Sequence, residues 1–369
     1  MNGLYFIFNL VLIITWLRVR NKKVMISSEK DTKLTIIIPV RNEAANIVKL
    51  LQDIDNQDYP PENFEVIIAN DNSTDNTAEL VLAFQQQAKY SIRLLNIFEE
   101  KGTSPKKRAI QKSIEISSGE LLITTDGDCR VPQKWLSSVQ QFYQSSDAKL
   151  ISSPVTFTEE NNFWNTAQII EFASLMGSGA CAMYLNKPNM CNGANIAYTR
   201  EIFEKVGGFA GNEHLASGDD EFLMHKIAMK FGYQSIGVSK LKDTIVSTSA
   251  LQTFSEFVQQ RKRWVSKGKH YDLKYIFVIM IITYLTNISI VICFISAIFG
   301  HFNWLDLFIF MVLKTLIELP MIQNGLKFNG QYSLSPWVFV IQPFYIFYVS
   351  LIPIFSIGKK YNWKGKLVE

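Results

Sequence analysis

The sequence lacks the features that mark several protein classes. Its formal net charge is only +4 over 369 residues and no dense basic tract occurs, which argues against a nucleic-acid-binding protein. The four cysteines form no C-x-x-C pair and no zinc spacing with the four histidines, so a zinc site is not expected. Cysteines of this kind suit a reducing, cytosol-facing environment. No G-x-G-x-x-G or P-loop pattern is present, which disfavours a nucleotidyltransferase that binds through a phosphate loop.

Uncharged apolar segments are plentiful, since 48% of the residues are hydrophobic. Residues 1–17 carry no charge. A basic cluster follows them, formed by Arg18, Arg20, Lys22 and Lys23. The segment is close to the length of about 20 residues that a bilayer requires, and no small-x-small cleavage site follows it. We therefore expect a membrane anchor over residues 1–20, with its positive end in the cytoplasm.

Three more apolar segments lie in the C-terminal third. Residues 275–299 and 334–357 are of spanning length. Between them, residues 305–322 contain Lys314 and Glu318, whose spacing predicts an ion pair on one helix face. Four spans in all would leave the lysine-rich tail outside, against the positive-inside tendency. A re-entrant segment and an exception to that tendency both stay open.

Strand and helix patterns alternate in the segment between these apolar regions. Runs rich in β-branched residues predict four strands, over 34–40, 64–71, 92–98 and 120–128. Helical spacing follows the first three, with Asn42 as a candidate helix cap and Pro105 suited to a first turn. Alternation at this interval predicts an α/β fold with a mostly parallel sheet.

Acidic residues stand at or just past the carboxyl ends of the predicted strands. They are Glu43, Asp71, Asp75, Asp126 and Asp128. Because ligands bind beyond the carboxyl ends of strands in such sheets, we expect these carboxylates along one edge. A calcium loop starting at Asp126 fails on spacing, since Val131 and Ser137 stand where glycine and glutamate are needed. A solvated Asp-Gly turn stays open. A divalent metal held with substrate phosphates is favoured, because it explains why several strands end in acid.

Seven segments resemble, in order, those of family-2 glycosyltransferases. They are TIIIPVRNEAANI, IIANDNSTDNT, SPKKRAI, TTDGDC, CNGANIAYTREIFEKVGGF, SGDDEFL and QQRKRW, within about residues 33–266. The resemblance implies a GT-A fold, the Rossmann-like fold of nucleotide-diphospho-sugar transferases, with flanking membrane helices. The expected domains are the anchor at 1–20, a cytoplasmic domain at 30–270 with a nucleotide-binding half (33–130) and an acceptor-side half (131–270), and a transmembrane region of about three segments at 275–357.

The resemblance implies how the donor nucleotide is held. Glu43 and Asp71 would bind the nucleoside, which suits carboxylates because they accept hydrogen bonds from ribose hydroxyls and base N–H groups. The family often has a second acid where this chain has Asn70, so no role is assigned to Asn70. Asp75 is interpreted as a helix cap.

The family's D-x-D motif corresponds to Asp126 and Asp128. Asp128 is the expected ligand of Mg²⁺ or Mn²⁺, and Asp126 would contact the metal or the ribose. The metal would offset charge on the departing diphosphate. Lys106 or Lys107, at a helix start, would neutralise phosphate. Cys129 is interpreted as a packing residue.

On the acceptor side, the resemblance assigns the catalytic base to Asp220. Asp219 before it suits an acidic helix start. Asn195, in a loop similar to the family's acceptor-proximal loop, is a further candidate.

The segment QQRKRW matches the Q-x-x-R-W motif with Gln260, Arg263 and Trp264. An arginine binds diphosphate oxygens in a bidentate manner, and a tryptophan packs under a sugar or lipid. A basic amphipathic helix lying on the bilayer is the alternative, and the two interpretations are compatible.

The expected function is that of an inverting, metal-dependent hexosyltransferase. It would move a sugar from a nucleotide-sugar, with UDP the favoured nucleotide, to a lipid or lipid-linked acceptor. We expect a multi-pass protein of the cell (inner) membrane, with its catalytic domain cytoplasmic and no nucleic-acid partner. A processive polysaccharide synthase is the alternative enzyme, and a non-catalytic membrane-bound sugar-nucleotide sensor is the alternative of another class.

Overall fold

The structure is a computed structural model. It describes residues 3–18, 32–98, 104–215, 217–356, 361–363 and 366–368. The basic residues Arg20, Lys22 and Lys23 of the predicted anchor lie outside the described residues, as do Lys359, Lys360 and Lys364 of the lysine-rich tail.

The chain divides into two compact units. We call the first the helical unit; it comprises Met1–Val19, Glu159–Cys181 and Ala250–Glu369. We call the second the sheet unit; it comprises Arg20–Thr158 and Ala182–Ser249. The predicted domain of residues 30–270 is thus divided between them, and its boundaries stay a prediction.

Helices and strands alternate through the first half of the described chain, and helices dominate its end. The helices are α1 (Gly3–Arg18), α2 (Ile47–Asp55), α3 (Thr77–Gln85), α4 (Pro105–Ile116), α5 (Trp135–Gln144), α6 (Phe163–Tyr184), α7 (Arg200–Lys205), α8 (Glu221–Phe231), α9 (Phe254–Lys267), α10 (Lys274–Ile298), α11 (Trp304–Phe328) and α12 (Val338–Ser356). The strands are β1 (Leu34–Val40), β2 (Phe64–Asp71), β3 (Ser91–Ile97), β4 (Leu121–Thr124), β5 (Leu150–Ser152), β6 (Val155–Phe157), β7 (Ile196–Thr199), β8 (Ile236–Val238), β9 (Val246–Thr248), β10 (Tyr361–Trp363) and β11 (Lys366–Val368).

A seven-stranded sheet in the order β3-β2-β1-β4-β7-β5-β8 forms the sheet unit. Strands β1 to β4 are mutually parallel, in the register Ile36↔Val66 and Ile36↔Ile123. Their residues are almost wholly buried in β1, β2 and β4, as continuous apolar runs of parallel strands require. The prediction of an α/β fold with a mostly parallel sheet is confirmed.

The seventh strand runs against its neighbours. β7 is antiparallel to both β4 and β5, with Thr124 opposite Ile196. The segment preceding β7 therefore lies at the edge where β1, β2 and β4 end. This reversal brings residues that are about 70 positions apart in sequence to one edge of the sheet.

The predicted elements match closely, with one clear correction. All four predicted strands are present, and Pro105 is the first residue of α4. Asn42 as a helix cap is wrong, because α2 begins only at Ile47 and its N-cap is Asn46. Asn42 instead adopts a left-handed conformation (φ 56°) and accepts a hydrogen bond from the Thr74 N–H at 2.8 Å. A short polar side chain tolerates that conformation and links two loops here.

Gly119 lies where two stretches of backbone approach closely. A Cβ at this position would lie 2.5 Å from the Thr35 amide nitrogen and 2.6 Å from the Leu34 carbonyl carbon. Because backbone atoms cannot rotate away, we expect Gly119→Ala to destabilise the protein by about 1–3 kcal/mol. Thermal or chemical unfolding of the purified protein measures this. Gly3→Ala is the control, because nothing lies within 4 Å of its added carbon, and an equal loss in both variants would contradict the prediction.

The helical unit combines long apolar helices with buried polar side chains. By length and composition, Lys274–Ile298 and Tyr332–Ile354 are long and apolar enough to cross a membrane, and Gly3–Arg18 is a shorter apolar helix. The predicted pair of Lys314 and Glu318 is present on α11 at 2.6 Å, and the Lys314 side chain is fully buried.

Candidate active site

The site is built on the edge formed by the carboxyl ends of β1, β2 and β4 and the amino end of β7. The Thr124 hydroxyl, at the end of β4, donates to the Gly193 carbonyl at 2.7 Å. This bond fixes the loop before β7 against the D-x-D segment. The loop before α8 contains Asp219 and Asp220. It lies at the same edge, where Asp219 contacts Lys106 and Asp220 contacts Gly193.

Lys106 stands at the centre of an acidic cluster. Its Nζ lies 2.7 Å from Asp126 Oδ1 and 3.4 Å from Asp219 Oδ2. The side chain of Asp126 is 36% exposed and that of Asp219 is 11% exposed, so the cluster has an open side towards Asp126. Two carboxylates from distant parts of the sequence thus share one ammonium group.

The cluster sets the ionisation of Lys106. Burial disfavours the charged amine, but the carboxylates of Asp126 and Asp219 outweigh burial and raise the pKa of Lys106 above its ordinary value. Lys106 is therefore a fixed positive charge at neutral pH. A cation held by Asp126 and Asp219 shows that this edge favours positive charge.

Asp220 is held by two backbone N–H groups. Its Oδ2 accepts from the Gly193 N–H at 2.8 Å, and its Oδ1 accepts from the Glu221 N–H at 2.7 Å, so it also caps α8. A Cβ on Gly193 would lie 2.8 Å from Asp219 Oδ2 and 3.3 Å from Lys106 Nζ. Only glycine allows the backbone to approach this cluster so closely. The carboxylate orientation of Asp220 is thereby fixed.

Asp71 lies between two arginines at the end of β2. Arg108 Nη2 lies 2.6 Å from Asp71 Oδ1, and Arg41 Nη1 lies 3.4 Å from Asp71 Oδ2. Asp71 and Arg108 are both nearly fully buried. The two guanidinium groups compensate the buried carboxylate and fix its position. The sequence analysis did not single out either arginine.

Glu43 lies on the other side of the D-x-D segment. Its backbone N–H donates to Thr77 Oγ1 at 2.9 Å, and its Oε2 accepts from Asn46 Nδ2 at 3.1 Å. A Cβ on Gly127 would lie 3.0 Å from Glu43 Cγ and 2.8 Å from Val40 Cγ1. The glycine between Asp126 and Asp128 therefore lets the strand end pack directly against Glu43.

Asp75 has a local structural role. Its Oδ1 accepts from both the N–H (3.1 Å) and the hydroxyl (2.5 Å) of Thr77, the first residue of α3, and its Oδ2 accepts from the Ala44 N–H at 3.1 Å. Burial acts to raise the pKa of Asp75, but these hydrogen bonds prevail and hold it below the ordinary value. The interpretation of Asp75 as the helix cap is wrong in position, because the N-cap of α3 is Asn76; Asp75 binds the first helical residue from one position earlier.

The D-x-D carboxylates fit a divalent metal that takes its other ligands from a substrate. Among the described residues, no group of three or more His, Cys, Asp and Glu side chains suited to a metal occurs. Asp126 and Asp128 are both half-buried and flank Gly127, and the ammonium group of Lys106 already occupies a cation position beside Asp126. Mg²⁺ is commonly held by one or two carboxylates together with substrate phosphates, which is the donor set available here.

Cys129, next in the chain, is not a nucleophile. It is 1% exposed, and burial, followed by the charges of Asp128 and Asp126, raises the pKa of its thiol well above the ordinary value. None of the four cysteines, all within the described residues, forms a disulfide.

Two other sequence candidates have structural positions. Asn195 is 1% exposed: its amide nitrogen donates to the carbonyls of Pro154 (2.8 Å) and Thr244 (2.7 Å), and its oxygen accepts from Trp135 Nε1 at 3.0 Å. Its side chain thus links three segments of the sheet unit.

Lys107 is also 1% exposed and donates to the Asn212 carbonyl at 2.6 Å. Of the two lysines, Lys106 is therefore the one that lies in the acidic cluster.

The Q-x-x-R-W side chains lie on α9 of the helical unit. Gln260, Arg263 and Trp264 are all half-buried. The helix begins with a capping box formed by Thr253 and Glu256. Between the motif residues, Arg261 is buried, and it contacts both Gln260 and Trp264.

Sequence reasoning missed Arg41, Arg108 and Gly193. Arg41 directly precedes Asn42 and Glu43, and Arg108 follows Lys107 in α4, so each stands inside a motif that was recognised. A buried acid at a strand end requires a compensating cation, and this requirement was the available signal for the two arginines. Nothing in the sequence indicated that Gly193 contacts Asp219 and Asp220.

Comparison with known proteins identifies a family match. Residues 35–207 match the model of the family described as Glycosyl transferase family 2. This similarity covers slightly less than half of the chain. The matched range contains β1 to β4, β7 and the D-x-D segment, so the predicted resemblance is confirmed for the family-2 domain.

Two curated relatives and one solved structure illustrate the similarity. Glycosyltransferase AglE from Haloferax volcanii is 30% identical over 187 residues, which cover 51% of this chain and 58% of that protein. A beta-monoglucosyldiacylglycerol synthase from a Nostoc species is 22% identical over 243 residues, which cover 66% of this chain and 50% of that protein. The chain therefore matches only about half the length of each relative.

The solved structure supports the fold. The mannosyltransferase PcManGT from Pyrobaculum calidifontis, in complex with GDP-Man and Mn²⁺, aligns with a TM-score of 0.59 at 17% identity over 94% of this chain and 96% of that one. At this identity the likeness concerns the fold alone. Together with the sheet topology, it confirms the predicted GT-A fold.

Proposed function

We propose that the protein transfers a sugar from a nucleotide-sugar to a lipid or lipid-linked acceptor, with inversion at the anomeric carbon. The observation that carries the proposal is the cluster of Lys106, Asp126, Asp219 and Asp220 at the edge of a family-2 domain. It joins a fixed cation suited to a diphosphate with an oriented carboxylate suited to a base.

Asp220 is the proposed base. It would accept the proton of the acceptor hydroxyl while that oxygen bonds to the anomeric carbon and the bond from this carbon to the diphosphate breaks. The N–H groups of Gly193 and Glu221 orient the carboxylate for this role. A single displacement from the face opposite the nucleotide inverts the configuration.

Lys106, Asp126 and Asp128 are proposed to receive the donor diphosphate. Asp128, with Asp126, would hold a divalent cation, which when bound offsets charge on the leaving diphosphate. Lys106 would exchange its contact with Asp126 for a phosphate oxygen. Glu43 and Asp71 are proposed to bind the nucleoside, and the two arginines at Asp71 hold that carboxylate in place.

Lys106→Met tests the diphosphate contact. We expect the affinity for UDP or GDP to fall about 10- to 100-fold, because a hydrogen bond to a charged group contributes about 1.5–3 kcal/mol. Isothermal titration calorimetry measures the change. Lys205→Met is the matched control, since Lys205 pairs with Glu201 on the exposed face of α7. An unchanged affinity in Lys106→Met would contradict the proposed role.

Membrane attachment is proposed from the apolar side chains that the helices of the helical unit expose. α1 buries the polar Asn9 and Thr15 together with Tyr5, Leu12 and Trp16, while its exposed residues are mainly large apolar side chains such as Leu4, Ile7 and Leu17. A helix packed in a water-soluble core shows the reverse arrangement.

The helices near the end of the described chain also expose large apolar side chains. α10 exposes Phe277, Leu285 and Ile292, and it buries the polar Thr286 and Asn287 alongside four apolar residues. α11 and α12 bury Lys314 with Gln342, whose oxygen accepts from Lys314 Nζ at 3.2 Å. Polar side chains that are hydrogen-bonded in the interior and apolar side chains on the outside are typical of helices in a lipid environment. This supports the proposal that the helical unit lies in a membrane and that the acceptor is reached from it. The multi-pass topology and the cytoplasmic side for the family-2 domain stay predictions from the sequence.

Transfer to lipid is the test of the proposed function. Purified protein in lipid nanodiscs is incubated with Mn²⁺, radiolabelled UDP-glucose, UDP-N-acetylglucosamine or GDP-mannose, and diacylglycerol or polyprenyl phosphate. We expect label to enter the lipid phase with one donor, and NMR of the product to show an inverted anomeric carbon. Nucleotide binding without transfer or donor hydrolysis for every pair would instead favour the sensor hypothesis.

A further inference from the structure

The position of Arg261 inside the Q-x-x-R-W segment has no assigned role. Its side chain is 4% exposed, so it is not available to a diphosphate. Arg263, which is half-buried, is the arginine that the motif resemblance assigns to that contact. A buried guanidinium requires compensation for its charge and all its donors. The partners that satisfy Arg261 identify what it does.

Glu171 on α6 fixes the guanidinium group. Arg261 Nε donates to Glu171 Oε1 at 3.1 Å, and Arg261 Nη2 donates to Glu171 Oε2, so the pair is bidentate. Glu171 is itself buried, and the Tyr348 hydroxyl of α12 donates to its Oε1. The fork geometry of arginine and the second donor to Glu171 hold the guanidinium plane in one orientation.

The remaining contacts of Arg261 reach two motif side chains. Its Nη1 donates to Gln260 Oε1. Its Cζ lies 4.1 Å from the centre of the Trp264 ring and 4.2 Å from that of Phe257, so the guanidinium stacks on both. Gln260 and Trp264 are four residues apart and lie on one face of α9. One rigid group therefore sets the orientation of an amide and of an indole.

We propose that Arg261 is a positioning residue, which orients Gln260 and Trp264 for the acceptor and is itself fixed by Glu171. This inference rests on the proposed function, because it takes Gln260 and Trp264 to act in transfer. It assigns Arg261 no contact with substrate. Its removal should act through the two side chains that it holds.

A double-mutant cycle between Arg261 and Trp264 tests the inference. Arg261→Lys keeps a positive charge next to the buried Glu171. It removes the planar guanidinium group, and with it the bidentate hydrogen bonds to Glu171 and the flat surface that contacts Trp264. We expect Arg261→Lys to lower kcat/KM for the acceptor by up to about 10²-fold, because misplacement of a substrate-positioning group costs that much. Trp264→Ala should have a comparable effect. The double variant should fall no more than about threefold below Trp264→Ala, since the two changes remove one interaction.

Three further measurements make the outcome decisive. Thermal unfolding in detergent accompanies each variant, and Glu171→Gln, which loosens Arg261 from the other side, should reproduce the Arg261→Lys kinetics. Ser255→Ala, at an exposed position of the same helix, is the control and should leave kcat/KM within about twofold of the parent value, as expected of a surface substitution.

The possible results separate the inference from the proposed function. Effects of Arg261→Lys and Trp264→Ala that multiply would overturn the positioning role while leaving Trp264 in the reaction. Loss of activity in Arg261→Lys that tracks loss of folded protein would overturn it too. If Trp264→Ala and Gln260→Ala both transfer sugar at the parent rate, the motif has no part in transfer, and the positioning role of Arg261 fails, while the proposed roles of Asp220 and Lys106 are unaffected.

Discussion

Replacing Asp220 with asparagine is expected to lower the rate of sugar transfer by about 10²- to 10⁴-fold, the range that a positioned general base contributes. The substitution is nearly isosteric, but an amide does not accept the hydroxyl proton. Nucleotide affinity should change little, because the cation of the diphosphate-binding group is Lys106, which contacts Asp126 and Asp219. Single-turnover transfer and calorimetric titration of UDP or GDP measure the two quantities separately.

The structural role of Asp220 requires a matched control. Its carboxylate caps α8 and accepts from Gly193, so asparagine replaces one accepting oxygen by a donor and weakens the loop. Thr199→Ala removes a comparable cap, since Thr199 Oγ1 accepts from the Ile202 N–H at the start of α7. We expect both variants to lose similar stability, about 1 kcal/mol, but only Asp220→Asn to lose transfer. Equal activity of the two variants would remove Asp220 from the reaction.

The parallel half of the sheet was accessible from sequence because its signals are local. Each of β1, β2 and β4 is a continuous apolar run, which is what a strand buried on both faces requires, and each observed boundary lies within a few residues of the predicted one. Pro105 marked the start of α4 for an equally local reason. The cap at Asn42 failed because its left-handed backbone is stabilised by Thr74, a partner 32 residues away.

The antiparallel direction of β7 could not be predicted from local sequence. The segment Ile196–Thr199 has four residues, too few for an apolar period to indicate direction, and its partners β4 and β5 lie far away in sequence. Motif resemblance placed residues 191–209 on the acceptor side without a strand direction. The direction matters because it brings Gly193 to Asp220.

The candidate site shows the same division between local and distant signals. The acids were predicted at one edge because parallel strands end together. Their partners were not: Arg108 reaches Asp71 across 37 positions, and Lys106 reaches Asp219 across more than 100. The same holds in the helical unit. The pair of Lys314 and Glu318, four residues apart on α11, was predicted, but Gln342, which contacts Lys314 from α12, was not.

Asp128→Asn is expected to have the second large effect. The variant should bind Mn²⁺ in the presence of UDP or GDP more than about tenfold more weakly. Even mutation of a residue that contacts a metal ligand, and not the metal itself, typically weakens metal binding by that factor. Transfer should fall about 10²- to 10³-fold, the cost of removing one group that stabilises the charge developing in a transition state. Electron paramagnetic resonance of Mn²⁺ gives the first quantity without any reliance on turnover.

Asp128 is a sharper choice than Asp126 for this test. Asp126→Asn would also break the 2.7 Å pair with Lys106, so its effect on metal and on phosphate would be mixed. Asp147→Asn provides the matched control: Asp147 is exposed and precedes β5, which runs parallel to β4 through the intervening β7, so it lies at the opposite edge of the sheet. Unchanged Mn²⁺ affinity in Asp128→Asn, with transfer also intact, would mean that the acidic edge serves Lys106 alone and that no divalent cation takes part at Asp128.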